Sequence, residues 1–210
     1  MRFIDFFSGI GGFRLGMEQA GHKAVGHCEI DKYAEMSYRA MHTITLDQMA
    51  YLNTIPLNER QIEIMEDNYL NGEWYTADIC RIEPRELPDA ECYTFGFPCQ
   101  SFSLAGLRGG LEDTRGTLFF EVLRLAKERQ PKILLAENVK PLLSHDGGNT
   151  FRAFLRAMDD VGYDAEWQVL NSKHFGVPQN RERMYIVGYL RGSGVEPIFP
   201  YYRADSKAIS

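Results

Sequence analysis

Phe3-Ile4-Asp5-Phe6-Phe7-Ser8-Gly9-Ile10-Gly11-Gly12-Phe13 reads as an apolar strand that runs into a glycine turn and then into a helix. Glycines let a backbone turn tightly and let a ligand approach it closely. The helix that follows offers free N–H groups at its first turn. Alone, the stretch is either a plain structural turn or a loop that binds a nucleotide-like ligand. Glu29 lies 17 residues beyond Gly12, at the end of the next apolar run. A carboxylate there can accept hydrogen bonds from both hydroxyls of a ribose. The G-x-G-x-x-G spacing of dinucleotide loops is not met, because the glycines after Gly11 are Gly12 and Gly16.

Outward from this turn, β-rich apolar runs alternate with helix-like stretches, the pattern of an α/β fold with a mainly parallel sheet. Strands are expected over residues 2–7, 24–29, 92–97, 133–137, 165–170 and 184–190, with a short one near 76–79. Helices are expected over 12–20, 32–41, 117–129 and 149–161. Residues 43–75 are the least regular part and read as a solvated insertion, with an exposed amphipathic helix expected within 57–69.

The 210 residues, 44% apolar and 25% charged, suit one globular domain. No run of 18 apolar residues is present, so no membrane span is expected, and the amino terminus does not read as a signal peptide. The four cysteines form no C-x-x-C pair and the five histidines are scattered, which argues against a metal site and for a reduced, cytoplasmic protein. With a net charge of −6, any nucleic-acid contact must rest on a local basic face.

Phe95-Gly96-Phe97-Pro98-Cys99-Gln100-Ser101 carries the most chemistry. A strand ends there and presents a thiol at the carboxyl edge of the sheet, where α/β proteins bind ligands. Pro98 fixes the backbone just before it. Gly106, Gly109 and Gly110, with Arg108 and Arg115 around them, suit a loop that closes over a substrate. Cys28, Cys80 and Cys92 read instead as buried structural thiols.

Ile133-Leu134-Leu135-Ala136-Glu137-Asn138-Val139 is a buried strand that ends in a carboxylate. Glu137 reads either as a proton donor whose pKa is raised by partial burial or as a cap on the next turn. Arg181 and Arg183 fall on one side of an extended segment, where they hold a phosphate or carbonyl oxygen or simply face solvent.

Taken together and in order, these segments resemble the C5-cytosine methyltransferase family, in its bacterial and phage form. The matches are Phe7 to Gly12, Glu29, Asp78-Ile79, Pro98-Cys99-Gln100, the run from Asp113 to Glu121, Glu137-Asn138-Val139, and Gln179-x-Arg181-x-Arg183. The resemblance implies a Rossmann-like methyltransferase fold, a mostly parallel seven-stranded sheet with an antiparallel edge formed by the last strand pair. It implies S-adenosylmethionine as cofactor, S-adenosylhomocysteine as product, and no metal. Phe7, Gly9, Ile10 and Gly12 would line that cofactor, Glu29 would hold its ribose, and Ile30, Asp78 and Ile79 would meet the adenine. Pro98 and Leu118 would lie near its methionine end. Cys99, Glu137, Arg181 and Arg183 would surround a cytosine flipped out of double-stranded DNA, with Cys99 forming a covalent adduct.

The family's target-recognition domain and late motifs are not found before Ser210. The chain is therefore expected to be a catalytic domain over 1–210. It is read as a truncated product, as half of a split enzyme whose second chain recognises the target, or as a minimal enzyme. The resemblance implies a restriction-modification or phage setting. Methylation of tRNA cytosine, an inactive module and, more distantly, a dinucleotide-dependent oxidoreductase stand as alternatives.

Overall fold

A computed structural model describes residues 1–97 and 118–200. Its sheet has seven strands: β1 (Arg2–Phe6), β2 (Lys23–Cys28), β3 (Trp74–Thr76), β4 (Cys92–Gly96), β5 (Ile133–Val139), β6 (Tyr163–Asn171) and β7 (Glu182–Leu190). They lie in the order β3-β2-β1-β4-β5-β7-β6. The first five are parallel to one another, and β7 runs antiparallel to both of its neighbours. The chain moves one way from β1 through β2 to β3 and the other way from β4 to β5. The order therefore reverses between β1 and β4, and a crevice opens beyond their carboxyl ends.

Helices α1 (Gly12–Gln19), α2 (Lys32–Tyr38), α3 (Leu46–Leu52), α4 (Leu57–Glu63), α5 (Leu118–Arg129) and α6 (Asn149–Asp160) connect the strands. Helix α6 buries Phe151, Phe154, Ala157 and Met158, an apolar stripe at helical spacing. Together with α5 it covers Ile4, Phe6, Tyr93 and Phe95 of the sheet in the main core. Within that core Phe97 meets Phe119 edge-on at 5.0 Å and Phe154 at 5.4 Å. Aromatic packing of this kind gives the end of β4 a fixed seat.

Several expected boundaries shift for identifiable reasons. Strand β1 stops at Phe6 because Phe7 has a left-handed backbone, φ 54°. Strand β2 ends at Cys28, leaving Glu29 just beyond the ladder. The strand expected near 76–79 is instead Trp74–Thr76, and Asp78 caps a short 3₁₀ turn, Ile79–Arg81. Helix α2 continues into a π-helical turn, Arg39–Thr43. Residues 43–75 are more ordered than a solvated insertion. They hold α3 with a Thr45/Gln48 capping box, and the expected amphipathic helix as α4. A small core of Leu52, Ile64 and Tyr69 joins them, and the segment closes on edge strand β3. Buried Arg39 ties it down by donating to the carbonyls of Ile64 and Glu66.

Cys28 and Cys92 are buried as expected, and burial pushes each thiol up to about 12. Cys80 departs from expectation: it is exposed, because the 3₁₀ turn points Ile79 rather than its neighbour into the core. No described helix is long and apolar enough to cross a membrane. Among the described residues no cluster of His, Cys, Asp and Glu could hold a metal ion.

Candidate active site

The glycine turn owes its shape to three positive backbone angles, Phe7 (φ 54°), Gly9 (φ 54°) and Gly11 (φ 90°). A phenylalanine in this region carries strain of about 1–3 kcal/mol, held in place by its surroundings. Here Ser8 N–H donates to Cys28 O at 3.2 Å and Gly11 N–H to Ser8 O at 2.8 Å. The Glu29 carboxylate accepts Gly9 N–H at 2.7 Å through Oε2 and Asp31 N–H at 2.8 Å through Oε1. Asp31 in turn caps α2 by accepting from Tyr33 and Ala34. The ends of β1 and β2 are thus locked to each other by one acidic side chain.

Around this turn stand apolar groups turned to solvent, Ile10 at 55% and Ile30 at 75% exposure. Asp78 accepts Cys80 N–H at 3.0 Å and pairs with Arg81. Ile79 is buried in the main core, so its side chain is not available to a ligand and only its backbone can serve one. Leu118, the first described residue of α5, packs half-buried on the same core.

A cleft of about 780 Å³ opens between the glycine turn, α1 and the β5–β7–β6 part of the sheet. Phe7, Ile10, Gly12, Glu137, Arg181 and Arg183 all line it. Arg183 Nε lies 2.8 Å from Glu137 Oε1, and both side chains remain partly exposed. The strand register produces this pair. Glu137 stands opposite Tyr185 and Val139 opposite Arg183, across antiparallel strands β5 and β7. Arg181 precedes the first residue of β7 yet lines the same cleft.

On the other side of Glu137 runs β4. Gly96 is its register partner, and a Cβ there would stand 3.6 Å from Glu137 Oε2. Asn138 Nδ2 donates to Phe97 O at 2.8 Å, fixing the carbonyl that precedes Pro98. Pro98 and Cys99, like Gly106, Arg108 and Arg115, lie outside the described residues.

The cleft also holds features the sequence reading did not single out. Tyr185 follows Arg183 by two positions in β7 and so shares its face, a spacing that could have flagged it. Burial and the neighbouring Glu137 carboxylate push its phenol upward. Asn138 lies inside the Glu137-Asn138-Val139 motif but gained its role only from the register of β4 and β5. Ser8 lines the cleft, and its buried hydroxyl has no hydrogen-bond partner among the described residues.

These groups fit a nucleoside-type cofactor. The turn presents glycine backbone and the Ser8 hydroxyl, which has no partner among the described residues, with exposed isoleucines beside it. Each Glu29 oxygen keeps a lone pair after its one backbone bond, enough to accept ribose hydroxyls.

Comparison with known proteins identifies the family. Residues 1–209 match the profile of the family described as C-5 cytosine-specific DNA methylase. The orphan methyltransferase M.SPRI of Bacillus phage SPR is 42% identical over 190 residues, covering 90% of this chain and 37% of the relative. The type II methyltransferase M.NgoBI of Neisseria gonorrhoeae is 44% identical over 186 residues, covering 89% of this chain and 50% of the relative. The chain thus spans half or less of either relative's length. In fold it resembles the crystal structure of the S. pombe Dnmt2 methyltransferase, at TM-score 0.61 and 20% identity, covering 93% of this chain and 51% of that one. The whole described chain, from glycine turn to arginine strand, belongs to the C-5 cytosine-specific DNA methylase family.

Proposed function

We propose that this chain is the catalytic part of a DNA cytosine-5 methyltransferase, which attacks C6 of a flipped-out cytosine through Cys99. The observation that carries the reading is the convergence of Glu137, Arg183 and the glycine turn on one cleft at the carboxyl edge of the sheet. Cys99 follows Phe97 by two residues, so the chain reaches it from the strand end that lies beside Glu137. The relatives, a type II and an orphan phage methyltransferase, support a role in restriction-modification or phage biology.

Phe7, Gly9, Ile10, Gly12, Glu29, Ile30, Asp78, Ile79, Pro98 and Leu118 would hold S-adenosylmethionine. When bound, it supplies the methyl group that C5 of cytosine takes. The protein's task is to make C5 nucleophilic, and a neutral cytosine ring is not. Addition of the Cys99 thiolate at C6 turns C5=C6 into an enamine-like centre at C5. Glu137 holds a proton at N3, so charge does not build on the ring, and Arg183, steadied by Glu137, donates to O2. Arg181, on the same rim, steadies the base or its phosphate. After methylation a base removes the C5 proton, the C6–S bond breaks, and the thiolate returns. C5 and C6 are inaccessible within a stacked duplex, so the base must be extruded first.

A labelled-methyl assay on double-stranded DNA and on tRNA tests this, with a recognition domain supplied in trans as a second chain. Transfer to DNA cytosine that vanishes in Cys99→Ser, with S-adenosylhomocysteine binding retained, is the expected result. Undiminished transfer by Cys99→Ser, or transfer to tRNA alone, overturns the proposal.

A further inference from the structure

Helix α2 ends in one π-helical turn, Arg39–Thr43. Such turns are rare overall and frequent at functional sites. Here the turn carries His42, whose Nε2 lies 3.0 Å from the carbonyl oxygen of Ile10. A carbonyl only accepts, so Nε2 carries the proton and donates it. The ring also fills the space beside Gly11, where any Cβ would overlap it. Tyr38 packs edge-on against it, with centroids 5.0 Å apart.

His42 is itself held from behind. Its carbonyl accepts from Arg14 Nη2 at 3.1 Å, and buried Arg14 is doubly bonded to Glu73 at 2.6 and 2.7 Å. Thr43 Oγ1 donates to Tyr69 O at 2.7 Å. The backbone that carries the ring is therefore braced by α1 and by the 43–75 segment.

The glycine turn consequently has two clamps. Glu29 takes the N–H of Gly9 on one side, and His42 donates to the carbonyl of Ile10 on the other. Between them the peptide units around Ile10, in the lining of the cleft, have little freedom left. We propose that His42 is a positioning residue that presets the Ile10–Gly11 peptide for the adenosyl cofactor, a role that rests on the function proposed above. The 43–75 segment then acts at the site through this histidine.

The test compares the full chain with His42→Ala and His42→Gln. The glutamine amide nitrogen stands as many bonds from Cβ as Nε2 does, so it can restore the donor. Two readouts are taken: calorimetric titration with S-adenosylhomocysteine, and hydrogen exchange of the Gly11 amide, which bonds to Ser8 O in the turn. The expected result is a fivefold to tenfold weaker affinity in His42→Ala, about the worth of one hydrogen bond. Exchange at Gly11 speeds up while β4 and β5 amides keep their protection, and His42→Gln recovers most of both. Wild-type affinity and exchange in His42→Ala overturn the proposal. So does a His42→Gln protein no better than His42→Ala, or a loss of protection that spreads through the sheet. If the wild-type chain does not bind S-adenosylhomocysteine, the cofactor reading fails, and exchange at Gly11 then decides on its own whether His42 holds the turn.

Discussion

Glu29 grips two backbone amides at once, Gly9 N–H at 2.7 Å and Asp31 N–H at 2.8 Å, so one carboxylate joins the end of β1 to the start of α2. Hydrogen bonds to a charged acceptor contribute about 1.5–3 kcal/mol each where water is partly excluded. Glu29→Ala is expected to lower stability in urea by about 2 kcal/mol and to weaken S-adenosylhomocysteine binding further than any other single change in the turn. Glu29→Gln keeps one acceptor oxygen and should fall between. Urea unfolding of Glu29→Ala at the wild-type midpoint would show that the carboxylate is not a structural clamp.

Arg183 and Glu137 invite the opposite expectation, a large functional effect and a small structural one. Their ion pair is 2.8 Å long at the rim of the cleft, and each side chain keeps 21–24% exposure. Pairs near solvent contribute roughly 0–1 kcal/mol to stability. A donor aimed at a reacting carbonyl is worth about a hundredfold or more in rate. Arg183→Lys should therefore melt close to wild type yet lose methyl transfer by that order, because an ammonium lacks the fork that bonds carboxylate and base together. Thermal melts alongside labelled-methyl transfer check it. Arg183→Lys with near-normal transfer would remove Arg183 from the chemistry.

The fold was largely legible because its signals are local. Apolar runs bounded by glycine and proline marked six of the strands to within a few residues, and the helix expected over 149–161 is α6. The edge strand was misplaced because Trp74-Tyr75-Thr76 is short and half-exposed, with no alternation to set it apart. Within the candidate site, Glu137 is expected at the end of its strand and Arg181 and Arg183 on one side of an extended segment, and all three line the cleft. The Glu137–Arg183 pair could not, since it depends on the register between β5 and β7. His42 left no mark at all. A π turn comes from packing by a segment that reads as mere insertion, and a lone histidine near a helix end carries no spacing to betray it.

Asp5 supplies a pH-dependent test of the glycine strand from beneath. It is fully buried in β1, with Oδ1 accepting from Thr94 Oγ1 at 2.8 Å and Oδ2 without a hydrogen-bond partner among the described residues. Burial drives its carboxyl up from 3.8 to about 7, against the Thr94 hydrogen bond, which pulls it down. A carboxyl raised in the folded state binds its proton more tightly than in the unfolded chain. Stability from this group is thus complete below about 4, falls as pH rises toward 7, and is flat above. The slope in that window is about 1.4 kcal/mol per pH unit, so the sum reaches a few kcal/mol. Asp5→Asn keeps an oxygen for Thr94 and removes the titration. Its stability relative to wild type should grow between pH 4.5 and 7.5, with Asp5→Asn the more stable protein at the upper end. Urea unfolding at five pH values across this range reads the difference directly. A constant difference would mean that Asp5 ionises as easily in the folded protein as in the unfolded one.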